Sequence, residues 1–571
     1  MGIKESANFI WSIADLLRGD YKQSDYGKVI LPLTVLRRLD CVLESSKEKV
    51  LKRFEQVKTM NIQNLDPILN KEAGYNFHNR SKFDFNKLIA DPNNLASNLR
   101  DYINGFSDDA REIIEQFEFD NQITKLDDNN LLFLVLKRFQ EVDLHPEVIS
   151  SVSMGYMFEE LIRKFAELSN ETAGEHFTPR EVIKLMIHIL FLNDNDILTQ
   201  RGKRRTIYDC CAGTGGMLSV ADEYIREHNE HAHLEMFGQE LNPESYAICK
   251  ADMIIKNQNP TNIRKGNSIS DDKFEDKQFD YLITNPPFGV KWEKFSKPVI
   301  DEHKAKGHAG RFGAGLPSKS DGSFLFLMHL ISKMKQDDEG SKLAIVFNGS
   351  PLFSGSPSST KNESSIRQWI IENDMLEAII ALPTQLFYNT GISTYIWVLN
   401  NRKKGKRKGK VQLINGVDFF KKMSKSLGNK RNEISKKQIE ELTSVYGEFT
   451  ETKISKIFDN TDFGYHKVTV ERPLYKDGKK VISKGKPKPD TSLRDTESIP
   501  LKEDIQAYME REVLPHVPDA WIDESKTNIG YEINFTKYFY EYKPLRSLEE
   551  IRANILALET ETDGLLKKAI V

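Results

Sequence analysis

Thr206-Ile207-Tyr208-Asp209-Cys210-Cys211-Ala212-Gly213-Thr214-Gly215-Gly216 is the stretch that decides the fold. A β-branched and aromatic run ends on an acid, glycines follow at close spacing, and apolar residues then recur at helical period from Met217 to Glu227. A strand that turns on glycines into a helix brings backbone close to a ligand and aims the free N–H groups of the helix start at it. An ordinary tight turn uses the same glycines, so function has to come from the surroundings. Further short apolar runs lie outward of this stretch: Leu234 to Phe237, Tyr281 to Thr284, Leu343 to Phe347, Ala378 to Leu382 and Tyr395 to Leu399. They alternate with helical segments such as Ser245 to Ile255 and Phe324 to Lys335. That alternation predicts an α/β region with a mostly parallel sheet covered on both faces and ligands beyond the carboxyl ends of its strands.

The flanks read differently. Residues 1–150 carry helical periodicity, with Phe9, Ile10, Ile13, Leu16 and Leu17 on one face and a second apolar repeat from Val29 to Val42, and are expected to form an all-helical N-terminal domain. Residues 151–425 hold the alternating region, and 426–571 a mixed C-terminal region. Within the latter, 476–497 is rich in Lys, Asp, Pro and Gly and reads as a polar segment or a loose hairpin turning at Asp477-Gly478. Ser547 and Glu550 make a capping box ahead of Leu548, Ile551, Ile555, Leu558 and Leu565, so 547–571 is expected to be a long helix that docks on its own protein or on a partner.

Composition sets bounds on the chemistry. With 571 residues, Lys+Arg 81 against Asp+Glu 84 and a net charge of −3, the chain has the balance of an ordinary soluble protein, so any DNA would have to be held by local positive potential or with a partner's help. Four cysteines exclude a disulfide framework and fit a reducing cytoplasm. No apolar run approaches membrane-spanning length.

Two features after the glycine turn carry chemistry. Glu240 follows Gly213 by 27 residues, at the end of the next candidate strand, where a carboxylate can accept from both ribose hydroxyls of a nucleotide-like cofactor. Asn285-Pro286-Pro287-Phe288 ends the candidate strand 281–284, and two prolines there forbid both strand continuation and an easy helix start. What remains is a stiff corner that aims a carbonyl. An exocyclic amine conjugated to a ring is a weak nucleophile. If the Asn285 side-chain oxygen and the Pro286 carbonyl accept its hydrogens while Phe288 stacks on the ring, the nitrogen is brought towards a reactive geometry.

The order of glycine turn, acid and Asn-Pro-Pro-Phe resembles the class I S-adenosylmethionine-dependent methyltransferases that act on amino groups. More closely, the chain resembles the modification (M) subunit of type I restriction-modification systems. The resemblance spans nearly the whole chain and includes Phe9-Ile10-Trp11, Arg37-Arg38-Leu39-Asp40, Gly174 to Arg180, Arg311-Phe312-Gly313, Ser320 to Phe324, Val346 to Ser350 and Ile529 to Ile533. It implies a Rossmann-like, seven-stranded methyltransferase domain that methylates adenine N6 in double-stranded DNA with S-adenosyl-L-methionine, after flipping the base out of the duplex. Asp209, Ala212, Gly213, Thr214, Gly215 and Gly216 would hold the cofactor's amino-acid end, and Glu240 its ribose. Glu175, His176, Phe177, Thr178, Pro179 and Arg180 would close over it. The family's acidic adenine contact is replaced here by Asn267, beside Ser268, which keeps an acceptor oxygen and loses the charge. Asn285, Pro286 and Phe288 would address the target base. The implied partners are a specificity (S) subunit, a second copy of the M subunit, and a restriction (R) subunit able to join.

Other residues are read more plainly. No second ligand stands at metal spacing from His176, so no metal is expected. No cysteine nucleophile near a proline supports ring-carbon cytosine methylation. The glycine-rich stretch Lys304 to Ser320 is expected to be a flexible loop folding over an extruded base. Arg402 to Lys410 reads as a solvated basic tip, with a phosphate contact as its second reading. The competing functions are an RNA or protein-glutamine N-methyltransferase, which share the Asn-Pro-Pro turn, and a non-catalytic cofactor-binding scaffold.

Overall fold

Arg204–Asp209 (β1) runs through the middle of a sheet whose members alternate with helices, as the β-branched runs require. These positions come from a computed structural model, which describes residues 12–60, 62–169, 177–192, 194–358, 360–388, 390–483, 485–540 and 546–570. The other strands of that sheet are β2 (His233–Glu240), β3 (Ile263–Lys265), β4 (Tyr281–Thr284), β5 (Lys342–Asn348), β6 (Leu376–Ala381), β7 (Thr394–Asn400), β8 (Lys410–Asn415) and, beyond a hairpin of β9 (Lys421–Leu427) and β10 (Lys430–Glu433), β11 (Ser455–Asp459). Their order is β11-β8-β6-β7-β5-β4-β1-β2-β3. β7 is antiparallel to both its neighbours, β11 is antiparallel to β8, and the remaining pairs are parallel. Seven strands were implied, and nine are found: β8 and β11 extend the edge past β6, which carries the sheet beyond residue 425. All four residues of β4 are buried, as expected of a strand covered on both faces.

The N-terminal part is helical. Tyr26–Leu43 is buried along most of its length, and Ile13 and Leu17 of the preceding helix are fully enclosed. Phe9 and Ile10 lie outside the described residues. This helical core continues onto the helix Pro243–Ile255 through Ala247, Ile248, Ala251 and Ile254, so one helix belongs to both cores. Tyr246 donates to Glu112 at 2.9 Å, and Lys250 pairs with Glu112 and with Asp109.

Past the large sheet, β12 (Gly464–Glu471) is followed by four two-residue strands, β13 (Tyr475–Lys476), β14 (Lys479–Lys480), β15 (Ile482–Ser483) and β16 (Lys486–Pro487), and then by β17 (Asp495–Pro500), β18 (Trp521–Ile522) and β19 (Asn528–Tyr531). β12 pairs antiparallel with β17, β18 and β19. The hairpin at Asp477-Gly478 forms as expected, with both residues at positive φ, +50° and +75°. Residues Asn534–Val571 make a separate unit. In it Ser547 and Glu550 form their capping box ahead of the helix Leu548–Ile570, and Leu548, Ile555 and Leu558 are exposed. The side chain of Leu565 lies outside the described residues. No helix among the described residues is long and apolar enough to cross a membrane.

Candidate active site

The chain order reverses at β1, whose neighbours are β2 and β4, so the loops leaving the carboxyl ends of β1 and β4 diverge and leave a crevice between them. A cavity of about 490 Å³ occupies it. Its lining brings together Asp209 to Thr214, Gly216, Glu240, Asn267, Ser268, Phe177, Thr178 and Asn285, with Ile183, Leu241 and Phe326 as apolar wall.

The glycine turn does what its residue types allow. Gly213 and Gly215 both take left-handed backbone, φ +53° and +83°. A Cβ on Gly213 would meet nothing within 4 Å, so that stretch of backbone is open to the cavity; one on Gly215 would sit 2.8 Å from Cys249 Sγ. Glu240 turns back onto this loop. Its Oε2 accepts from the Gly213 N–H at 2.8 Å and its Oε1 from the Asn242 N–H at 2.7 Å, and burial pushes its pKa up. Asp209 accepts from the Thr284 hydroxyl at 2.7 Å and the Cys211 N–H at 3.0 Å. Burial nevertheless raises it to about 7, because desolvation of the charged form outweighs those two bonds and the nearby Glu240 charge adds to it.

A third carboxylate, Glu159 on the helix Ser151–Ser169, was not anticipated from the sequence. It meets Arg180 Nη2 at 2.9 Å and the Thr214 hydroxyl, while Arg180 Nη1 donates to the Gly216 carbonyl at 3.0 Å. Burial raises the pKa of Glu159, opposed by Arg180. The guanidinium thus ties the 177–180 segment to the glycine turn. Gly155, one helical turn before Glu159, makes room: a Cβ there would lie 3.1 Å from Arg180 Nη2. A glycine inside a long helix with an acid four residues on was the available sequence signal.

Asn267 lines the cavity, but its Oδ1 accepts from the Ile269 N–H at 2.9 Å and the Ser270 N–H at 3.3 Å, a local turn. Ser268 is buried and donates to the Cys210 carbonyl at 2.5 Å, which pins the turn from behind. Glu175 and His176 lie outside the described residues. Pro179 caps the helix Arg180–Phe191.

On the other side of the crevice, Asn285 leaves the end of β4 and donates from Nδ2 to the Thr178 hydroxyl at 2.9 Å, which fixes its amide plane. Pro286 is buried and Pro287 lines the cavity. Phe288 packs edge-on against Phe387, with ring centroids 6.0 Å apart and an interplanar angle of 67°.

Two stretches differ from expectation. Lys304 to Ser320 is packed rather than loose: it begins inside the helix Ser296–Lys306, and Phe312 is fully buried. Arg311 spans Glu302 at 2.7 Å, the Ser268 and Ile269 carbonyls at 2.9 and 3.0 Å, and His329 at 3.2 Å. Five donors of one guanidinium shared among these groups outweigh the freedom of the glycines. The basic stretch 402–410 is also largely consumed: Arg402 caps the Gln336 and Asp337 carbonyls, Lys403 is buried against Asp374 at 2.6 Å, and Arg407 lies over the Tyr446 and Phe449 rings.

The lining of the cavity suits S-adenosyl-L-methionine: bare backbone at Gly213, a carboxylate at Glu240 and an apolar wall are the kinds of group that an amino acid and a nucleoside require, and three carboxylates against one arginine suit a cationic ligand. Among the described residues no group of His, Cys, Asp or Glu is placed to hold a metal.

Comparison with known proteins agrees. Residues 150–471 match the N-6 DNA Methylase family model and residues 6–139 the HsdM N-terminal domain. The type I restriction enzyme MjaIX methylase subunit of Methanocaldococcus jannaschii is 25% identical over 497 residues, 83% of this chain and 82% of that protein. The type I restriction enzyme HindI methylase subunit of Haemophilus influenzae is 30% identical over 264 residues, 46% of this chain and 53% of that protein. The methyltransferase subunit of the type I restriction-modification system from Streptococcus thermophilus shares the fold, with a TM-score of 0.63, 24% identity, and coverage of 81% of this chain and 97% of that one.

Proposed function

This chain belongs to the N-6 DNA methylase family, and from that premise we propose how its residues divide the work. It is the modification subunit of a type I restriction-modification system, an S-adenosyl-L-methionine-dependent methyltransferase acting on adenine N6 in DNA. The RNA, protein-glutamine and scaffold readings are not favoured.

One observation carries the assignment of roles: the glycine turn, Glu240 and Asn285 open on a single cavity. Asp209 to Gly216 receive the amino-acid end of the cofactor and Glu240 its ribose, while Phe177, Thr178 and the Arg180–Glu159 pair close that side. Asn267 and Ser268 face the adenine end. When bound, the cofactor supplies an electrophilic methyl group. Asn285 Oδ1 and the Pro286 carbonyl accept the two hydrogens of the adenine amine and hold its nitrogen in line, and Phe288 stacks on the base. An amide oxygen cannot retain the proton that the amine releases, so the proton passes to solvent. Catalysis here is positioning and hydrogen bonding.

Asn285→Ala tests this. Tritium transfer from labelled cofactor to adenine in DNA should fall by about 10²–10³-fold or more, the scale for losing a positioned hydrogen-bonding group, while calorimetric cofactor affinity stays unchanged. Undiminished transfer would refute the role of Asn285.

The partners follow the same reading. An S subunit selects the sequence, two copies of this chain grip it, and an R subunit can join. The exposed Leu548, Ile555 and Leu558 on the terminal helix are the surface for such assembly. Deleting 547–571 should abolish co-purification with the S subunit and leave cofactor affinity intact; assembly at wild-type strength removes the helix from this role.

A further inference from the structure

The segment 472–490 carries Arg472 and six lysines against two acids, Asp477 and Asp490, in a chain whose net charge is −3. It is ordered by its own backbone. β13 pairs with β14 and β15 with β16, and the stem closes through Leu474 N–H to the Lys488 carbonyl, Lys488 N–H to the Val481 carbonyl and Val481 N–H to the Leu474 carbonyl, at 2.8, 2.8 and 2.9 Å. With its polar backbone paired internally, the segment presents its side chains outward as two stacked hairpins.

The charges of this arm are more available than those of 402–410, where Lys403, Arg407 and Lys410 close on Asp374, Glu377 and Asp459. Lys476, Lys479, Lys486 and Lys488 are exposed, and no carboxylate among the described residues lies in ion-pair range of them. Lys480 pairs with Asp519 at 3.7 Å, and Asp519 also accepts from the Tyr475 hydroxyl at 2.8 Å, which braces the base of the arm. At the stem Arg494 and Lys526 both close on Glu471 and Lys526 also on Asp523, so two cations meet two carboxylates. Between 464 and 533 the exposed lysines without an ion-pair partner among the described residues therefore lie on the hairpins.

The strands that carry the arm are tied to the catalytic unit. It grows from the end of β12, and β12 is held to the segment after β5 by Lys467 Nζ on Ser356 Oγ at 2.7 Å. Buried Arg367 adds a second tie, from Nε to the Tyr531 carbonyl of β19 at 2.7 Å and from Nη1 to the Pro351 carbonyl at 3.1 Å. A paired ribbon has the width to follow a DNA groove, and lysine ammonium groups are point charges without the fork that reads base edges. We propose that 472–490 is a second, sequence-neutral contact with duplex DNA, gripping phosphates away from the methylated base.

This inference rests on the DNA reading of the cleft, and its test separates the two. The full chain and the variant Lys476→Gln/Lys479→Gln/Lys486→Gln/Lys488→Gln are titrated with a mixed-sequence duplex at several salt concentrations, and assayed for tritium transfer to DNA. Each lost phosphate contact should lower the slope of log affinity against log salt by about 0.9, so the slope should fall by about 2–4, with KM for DNA raised about tenfold or more. The kcat at saturating DNA, cofactor affinity and melting temperature should match wild type, and the four Lys→Arg replacements should restore the slope. An unchanged slope overturns the proposal while wild-type methylation leaves the cleft assignment standing. Unchanged duplex binding with lost co-purification of a partner subunit also overturns it, in favour of an acidic protein surface.

Discussion

On the wall made by 209–216 and Glu240, the contacts that shape the turn itself are short in sequence: Cys211 N–H reaches Asp209 two residues away, Asn242 N–H reaches Glu240 at the same separation, and Gly213 to Glu240 spans 27 positions, while Arg180, Ser268 and Thr284 tie the turn to its neighbours from 36, 58 and 75 positions away. On the facing wall, Asn285 reaches 107 positions back to Thr178, and Phe288 rests on Phe387 from the far end of β6. The first wall takes the shape of its turn from its own βαβ unit. The second exists only once 177–180 and the region beyond β6 have docked. Cofactor capture and base positioning should therefore fail separately, and the strength of each failure measures how far the walls are independent.

The largest separation is expected at Glu240. Glu240→Ala removes a half-buried carboxylate that serves two backbone N–H groups and, in our reading, the ribose, and charged hydrogen bonds contribute about 1.5–3 kcal/mol. Cofactor affinity by calorimetry should weaken about ten- to hundredfold, while kcat at saturating cofactor stays within about threefold. A collapse of kcat would show that the walls act as one. Thr178→Val addresses the link between them. Losing the acceptor for Asn285 Nδ2 should lower kcat about tenfold with little change in cofactor affinity, and Thr178→Ser should restore it. If serine does not rescue turnover, packing at Thr178 rather than its hydroxyl sets the amide.

The same contrast explains what could be read in the sequence. β1, β2 and β4 announce themselves through β-branched or apolar runs that lead into the glycine turn, Glu240 and Asn-Pro-Pro, because each places its chemistry at its own carboxyl end. The expected sites at Gly213, Glu240 and Asn285 converge for that reason. Glu159 was not legible, since its role comes from Arg180, 21 residues on and in another element. Arg311 misled for a related reason: the four glycines from Lys304 to Ser320 imply freedom, but the anchors that remove it, Ser268, Ile269 and His329, are distant in the chain. Charge counts fail in the same way. The stretches 402–410 and 472–490 each carry seven basic residues, and only tertiary partners such as Asp374, Glu377 and Asp459 show that the first commits three of them to ion pairs.

Asp209 joins the walls, because its carboxylate on the cofactor side takes the hydroxyl of Thr284, the residue before Asn285. Its folded pKa, about 7, stands above the unfolded value near 3.8. Between those values the native state holds a proton that the unfolded chain has lost, so its contribution to stability is complete below about pH 4 and is lost as pH rises through about 7. Without cofactor, wild type should lose on the order of 2 kcal/mol of stability from about pH 5 to about pH 7 that Asp209→Asn does not lose. The slope that remains in the variant includes Glu240 and Glu159, which burial raises in the same direction, and the buried His78 and His329, whose lowered pKa values act in the opposite one. Cofactor affinity should move oppositely. A cationic ligand favours the ionised acid, so binding to wild type should strengthen by up to about tenfold as pH rises towards 8, and binding to Asp209→Asn should stay flatter. Two readouts of opposite sign in one protein, both flattened by one substitution, are hard to obtain from a general effect of pH on folding. If affinity and stability fall together instead, Asp209 is a structural acid of the β1–β4 junction and the cofactor side draws its charge from Glu240 and Glu159 alone.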